Sequence, residues 1–201
     1  MIYKKYGKRL IDFLLSFIGL IFLSPLFIIV AILIKLDDGG SIFFRQIRVG
    51  QNGKLFKIYK FRTMIENAEK LGFQVTRKDD PRITRLGRVL RKYKIDELPQ
   101  LINVLRGEMS LVGPRPEVPK YVEIYKEEYE KILKIKPGIT DYAAIEYIDE
   151  ENVLKAADDS EKIYIEKILP EKIRFYQKYI NDMSFFTDMK LIIKTLSGII
   201  R

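Results

Sequence analysis

Phe13–Ile34 reads FLLSFIGLIFLSPLFIIVAILI and carries no charge. As a helix it is long enough to cross a hydrocarbon core of about 30 Å. It is too long for a signal peptide, and no small-residue cleavage site follows. Hydropathy alone reads it as a single-span anchor. Two features point elsewhere. Ser24-Pro25 stands mid-run; proline removes a backbone donor and clashes with the preceding turn, so a kink or break is expected there. The Ser24 hydroxyl can bond a carbonyl freed by that break. Positive charge also flanks both ends, with Lys4, Lys5, Lys8 and Arg9 before the run and Lys35, Arg45 and Arg48 after it. Such symmetry assigns no inside and outside. It suits a helix–break–helix hairpin that enters one leaflet and returns to the same face. The residues alone leave span and hairpin both open.

The 201 residues suffice for one compact domain with an attachment element. Lys and Arg number 36 against 27 Asp and Glu, a net charge of +9. That favours anionic partners: nucleic acid, phospholipid head groups or phosphorylated substrates. The chain has no Cys and no His. Disulfides, thiolate nucleophiles and thiolate or imidazole metal sites are therefore excluded. Proton transfer falls to Asp, Glu, Lys or Tyr. A metal would be a hard ion held by oxygens, Mg²⁺ or Mn²⁺.

Ser41–Val49 and Leu55–Phe61 read as strands of a hairpin closed by Gly50-Gln51-Asn52-Gly53, because Asn-Gly takes positive φ readily. Ile65–Leu71 and the basic stretch Ile83–Tyr93 read as helices, with Asp79-Asp80-Pro81 as turn and cap. Asp96 resembles an N-cap, with Pro99 in the first turn and Leu98, Leu101, Ile102 and Leu105 at helical spacing until Gly107 stops the helix. Leu111–Pro119 is too rich in Pro and Gly for helix and is expected as a rigid loop. Val118–Leu133 is expected as helix, Pro137-Gly138 as a turn, and the chain to Glu151 as irregular. Two amphipathic helices close the chain, Pro170–Ile180 and Phe185–Ile200. The stripe Phe185, Met189, Ile192, Ile193, Leu196 and Ile200 suits either a core-facing helix or one lying on a bilayer.

The acidic pair Asp96-Glu97 follows a dense run of arginine. Adjacent helical residues point about 100° apart, so the pair presents two carboxylates to different parts of one site. Helix capping explains the same residues equally well. Arg82, Arg85, Arg88 and Arg91 form a slanting basic strip, and Lys60 and Arg62 end the second strand. A solvated face against lipid head groups accounts for these as readily as a site. Arg115 is held between two prolines, and its guanidinium fork matches phosphate geometry.

Together these segments resemble a known family. DPRITRLGRVLRKYKIDELPQLINVLRGEMSLVGPRPE (Asp80–Glu117), YKFRTM (Tyr59–Met64), PGIT (Pro137–Thr140) and the apolar run with its central Ser-Pro are similar, in order and over essentially the whole chain, to the bacterial sugar transferases known as monotopic phosphoglycosyl transferases. The chain looks like their minimal members, which lack the extra N-terminal membrane domain of larger relatives. The resemblance implies an α+β, mostly helical fold. Residues 1–36 would form a re-entrant membrane hairpin broken at Ser24-Pro25. Residues 37–201 would form a cytosol-facing catalytic domain with a small β-hairpin and surface amphipathic helices. It implies transfer of a sugar-phosphate from a UDP-sugar to polyprenyl (undecaprenyl) phosphate, releasing UMP, with Mg²⁺ or alternatively Mn²⁺. Asp96 would be the nucleophile and a metal ligand, and Glu97 would assist with metal or proton. Arg91 and Arg115 would lie near the phosphates, joined by Lys60, Arg62, Arg85 and Arg88. The expected place is the cytoplasmic face of the bacterial inner membrane, in one leaflet, with membrane lipids as partners, no nucleic acid, and a homodimer compatible. One departure stands out. Many relatives continue PGIT with Gly, where this chain reads DYAAIEYIDEE (Asp141–Glu151), so no sugar is carried over. A basic peripheral scaffold binding anionic lipid or nucleic acid is the non-enzymatic alternative.

Overall fold

The computed structural model describes residues 3–68, 80–147 and 160–199. A π-helical turn, Tyr3–Gly7, leads into α1, Lys8–Asp38, which ends at Gly39 with φ 73°. Pro25 lies inside α1, so the expected pair of helices is corrected to one continuous helix. The reason is local. Proline at 25 cannot donate to the carbonyl four residues back, at Ile21. The Ser24 hydroxyl donates to that oxygen instead, at 2.8 Å. The lost backbone bond is thus replaced within the same turn, which matters where water cannot supply it.

Both ends of α1 are tied to the same body. Near its start, the Arg9 guanidinium donates to the carbonyls of Val104 and Leu105 at 2.6 and 2.9 Å. The Asp12 carboxylate accepts from the Leu111 amide at 3.0 Å. Lys8 pairs with Asp188 at 2.6 Å. At its other end Asp38 pairs with the Arg62 guanidinium. Between them Val30 and Ile34 pack with Phe61 and Leu90. Much of α1 is still exposed, including Leu14, Phe17, Ile18, Ile21, Phe22 and Ile29.

β1 (Phe43–Val49) and β2 (Leu55–Phe61) form the expected antiparallel hairpin, with Asn52 and Gly53 at positive φ. Ile65 donates to the Arg82 carbonyl and Met64 bridges Ile83, so residues 66–67 form a turn and a 3₁₀ turn begins only at Ala68. The remainder of the predicted segment through Leu71, and Asp79, lie outside the described residues. Thr84, not Asp80, caps α2 (Arg85–Lys92), its hydroxyl accepting from the Gly87 amide. α3 spans Gln100–Arg106 and stops at Gly107 with φ 81°.

β3 (Ser110–Val112) and β4 (Gly138–Thr140) pair in parallel. The segments expected as loop and turn are thus strands in part, joined side by side. A methyl on Gly138 would stand 2.0 Å from the Gly113 nitrogen, so the approach demands glycine. The expected helix over 118–133 divides at Tyr125 into α4 (Pro119–Ile124) and α5 (Lys126–Ile132). The stretch expected as irregular contains α6, Tyr142–Glu146, and its residues 148–151 are outside the described set. α7 (Ser160–Ile163) runs through a π-helical turn into α8 (Leu169–Asp182). Val118, Tyr129, Ile132, Ile168, Leu169 and Tyr176 form a core between these helices.

α9 (Phe185–Ile199) turns Asp188 and Leu191 inward. Part of its outer surface is apolar, with Phe186 exposed beside the stripe. Of the two readings left open for the stripe, the structure supports each in part: Phe185, Ile193 and Leu196 are exposed, while Ile192 packs against the core.

Candidate active site

The site is assembled from β2, the turn after α2, and the β3–α4 loop. Asn103 on α3 sets the first of these. Its amide oxygen accepts from the Tyr59 amide at 2.9 Å, and its nitrogen donates to the Lys57 carbonyl at 2.9 Å. β2 is thereby fixed against α3, and Lys60 reaches Glu97 Oε1 at 2.8 Å. Lys94 adopts a left-handed φ of 53°, and the chain then makes a 3₁₀ turn, Ile95–Glu97. Asp96 is buried there at 6% exposure. Its carboxylate caps nothing: Oδ1 is buried without a hydrogen-bond partner. The expectation of an N-cap is corrected, since α3 starts four residues later, after Pro99 and without a side-chain cap.

Arg115 enters from the β3–α4 loop. Its guanidinium donates to both Glu97 oxygens, at 3.1 Å to Oε2 and in a closer contact to Oε1. The loop is held rigidly by the Gly113 amide on the Thr140 carbonyl and the Gly138 amide on the Pro114 carbonyl, both 2.9 Å. The Arg115 amide donates to Asp141 Oδ2 at 3.2 Å. Asp141 also caps α6, accepting from the Ala144 amide at 2.6 Å. Behind the loop, buried Glu117 accepts from the Tyr164 hydroxyl at 2.7 Å and pairs with Arg48 at 3.6 Å.

Two carboxylates side by side are driven apart in acidity. Burial raises the Asp96 carboxyl to about 6; Lys60 opposes this, Glu97 adds to it, and Arg91 and Lys94 oppose it. Burial works on Glu97 too, but Arg115 and Lys60 beside it outweigh that and hold it well below the usual carboxylate range. Glu97 is thus a fixed anion that anchors two cations. Burial also lowers Lys60, against the pull of Glu97.

The structure brings together Lys60, Arg91, Asp96, Glu97 and Arg115. Arg91 stands on α2, its Nε donating to the Thr63 hydroxyl at 3.0 Å. Arg62 is placed otherwise: it pairs with Asp38 at the end of α1 and fills the space beside Gly40. Arg85 and Arg88 are exposed on α2. Ser24 and Pro25 sit mid-α1, where Ser24 mends the helix. Sequence reasoning missed Gln100 and Asp141. Gln100 is 1% exposed, and neither its amide nitrogen nor its oxygen has a partner. Asp96, Gln100 and Asn103 follow a spacing of four then three, the helical repeat of one face, and that was the available signal.

One body thus holds an exposed apolar helix, α1, and a buried carboxylate among cations, Asp96, and sequence comparison supplies the class. The profile described as Bacterial sugar transferase matches residues 3–201. The chain belongs to that family, which sets aside the non-enzymatic scaffold. It is 39% identical over 208 residues to the exopolysaccharide production protein ExoY of Sinorhizobium fredii, covering 96% of this chain and 85% of that protein. It is 40% identical over 198 residues to the UDP-N-acetylgalactosamine-undecaprenyl-phosphate N-acetylgalactosaminephosphotransferase of Aeromonas hydrophila, covering 96% of this chain but 43% of the relative. It is 38% identical over 194 residues to the UDP-glucose:undecaprenyl-phosphate glucose-1-phosphate transferase of Escherichia coli, covering 94% of this chain and 39% of the relative.

Proposed function

We propose that this protein transfers a sugar-1-phosphate from a UDP-sugar to a polyprenyl phosphate such as undecaprenyl phosphate, through a covalent intermediate on Asp96. One observation carries the reading: a buried carboxylate oxygen without a partner, set among Lys60, Arg91 and Lys94. An oxygen of Asp96 bonds the phosphorus next to the sugar. The bridging P–O bond of the diphosphate breaks, and UMP leaves with the bridging oxygen and its electron pair. A phosphate oxygen of the polyprenyl acceptor then bonds the same phosphorus. The acyl P–O bond breaks and Asp96 returns as carboxylate. A carboxylate nucleophile needs neither His nor Cys. Lys60, Arg91 and Arg115 offset charge on the phosphoryl group. Glu97 holds Lys60 and Arg115 in place and, kept ionised by them, is a poor proton acceptor. UDP and undecaprenyl phosphate are the substrates in the names of the Aeromonas and Escherichia relatives.

Magnesium fits the donors present, with manganese as the alternative. The free oxygen of Asp96 is a hard ligand, and Glu97 is already engaged by cations. Among the described residues no three acidic side chains converge, which suits an ion completed by substrate phosphates and water. Held by Asp96, it would neutralise charge on the diphosphate.

We place α1 in one leaflet at the cytoplasmic face of the bacterial inner membrane. The support is that Lys8, Arg9 and Asp12 near one end, and Asp38 at the other, bond the same body. A spanning helix would present its two ends to opposite sides of the hydrocarbon, where one body could not bond both. The exposed face of α9 adjoins it through the edge contact of Tyr3 with Phe185.

The test is UMP release that requires UDP-sugar, undecaprenyl phosphate and Mg²⁺ together. Full turnover by Asp96→Asn would overturn the mechanism. Cysteines at positions 4 and 37 should be labelled from the same side of an oriented membrane; labelling from opposite sides would overturn the leaflet placement.

A further inference from the structure

Among the described residues, several buried polar atoms outside the proposed chemistry lack a partner, and Gln100 is the side chain with both of its polar ends unpaired. Gln100 opens α3, is 1% exposed, and has no hydrogen bond at either end of its amide. Burying an amide unpaired is unfavourable, and an apolar side chain of the same size would fill the space without that penalty. Asn103, one turn further on, shows the opposite behaviour. It is fully buried, yet its amide bonds Tyr59, Lys57 and Glu108. The amide that joins β2 to α3 is therefore saturated, while the one nearer the site is not. On the other side, four residues back, Asp96 also keeps a buried oxygen unpaired. From Ile95 the backbone is helical in every residue but for the change from 3₁₀ to α, with Leu98 donating to Ile95 and Leu101 to Leu98. These bonds each span three residues, so Gln100 follows Asp96 by a little more than one turn of the same continuous run.

We infer that Gln100 is a substrate-contacting residue, whose amide N–H donates to a non-bridging oxygen of the phosphoryl group attacked by Asp96. The inference rests on the function proposed above and names a contact within the same site. A neutral donor suits this position. Lys60 and Arg115 already bond Glu97, and a further cation beside Asp96 would pair with the nucleophile and blunt it. An amide strengthens its bond as charge grows on the phosphoryl oxygens while leaving the carboxylate free.

The experiment uses UDP and UMP as probes, with Mg²⁺, on the full chain in detergent. UDP carries the phosphate that this contact would hold, and UMP does not. Wild type should bind UDP more tightly than UMP. In Gln100→Met the UDP preference should fall about tenfold, UMP affinity should stay within twofold, and the melting temperature should be unchanged or higher. A preserved UDP preference in Gln100→Met would overturn the inference alone. A wild type with no preference for UDP over UMP would instead undermine the function on which it rests. If Gln100→Met does not fold, the ratio is read in Gln100→Asn, which keeps the amide but withdraws it by one methylene. Loss of the UDP preference there supports the contact, and its retention removes it.

Discussion

Asp96 and Asp141 are both buried, both lie against Arg115 or its partner Glu97, and burial raises both carboxyls to about 6. Their hydrogen bonds separate them. Asp141 accepts from the amides of Arg115 and Ala144, so its oxygens are committed to a loop and a helix start. Asp96 leaves Oδ1 bare. Burial and acidity alone would rank the two as equal candidates. Satisfaction of the oxygens separates them: those of Asp141 hold structure, while the bare oxygen of Asp96 is what the proposed function uses.

The comparison breaks most sharply at the proposed nucleophile. Asp96→Asn should lower UMP formation by about a thousandfold or more and abolish any labelled adduct seen by intact mass. Its melting temperature should hold or rise, because a buried charge is removed. Asp141→Ala should do the reverse in emphasis. It strips two buried amides of their acceptor, costing about 2–4 kcal/mol of stability in denaturant unfolding, and it weakens turnover only through Arg115. Equal activity losses without a stability difference would erase the distinction.

Acidity sharpens it further. The proposed attack requires Asp96 ionised, so under that mechanism the single-turnover rate should rise about tenfold per pH unit up to about 6 and then level. Stability runs the other way. A carboxyl raised from 3.8 to about 6 holds its proton more firmly in the folded state. Its contribution is therefore present below about 4 and lost as pH climbs through 6. Asp141→Asn should flatten that decline by up to about 3 kcal/mol, read by unfolding at pH 4, 5, 6 and 7. Smallest of all, Arg85→Ala and Arg88→Ala should each leave kcat/KM within about twofold and stability within about 0.5 kcal/mol, as exposed positions outside either environment.

Much of the site was legible because its motifs carry their chemistry in residue type. A guanidinium between two prolines, and an acidic pair after an arginine-rich stretch, pointed to Arg115, Asp96 and Glu97. Arg62 could not be placed from spacing, because it follows the last residue of β2 and its guanidinium reaches Asp38 at the end of α1, a partner distant in the chain. Gln100 was hidden in an apolar run, since a glutamine reveals nothing until its lack of partners is known. The capping explanation for Asp96 could be rejected only once the start of α3 was seen at Gln100.

The sequence by itself determined the apolar helix, the β1–β2 turn at Asn52-Gly53, the helix stop at Gly107 and the exclusion of His and Cys chemistry. These follow from local rules: side-chain transfer, backbone φ preference and the inventory of reactive groups. Only the tertiary structure decided that Ser24 mends the bond lost at Pro25, that GPRP and PGIT lie side by side through glycine contact, and that Glu97 rather than Asp96 takes the cations. Each depends on which groups distant in the chain, or on which oxygen within a turn, come within bonding distance. That is fixed by packing, and packing is not written in the order of the residues alone.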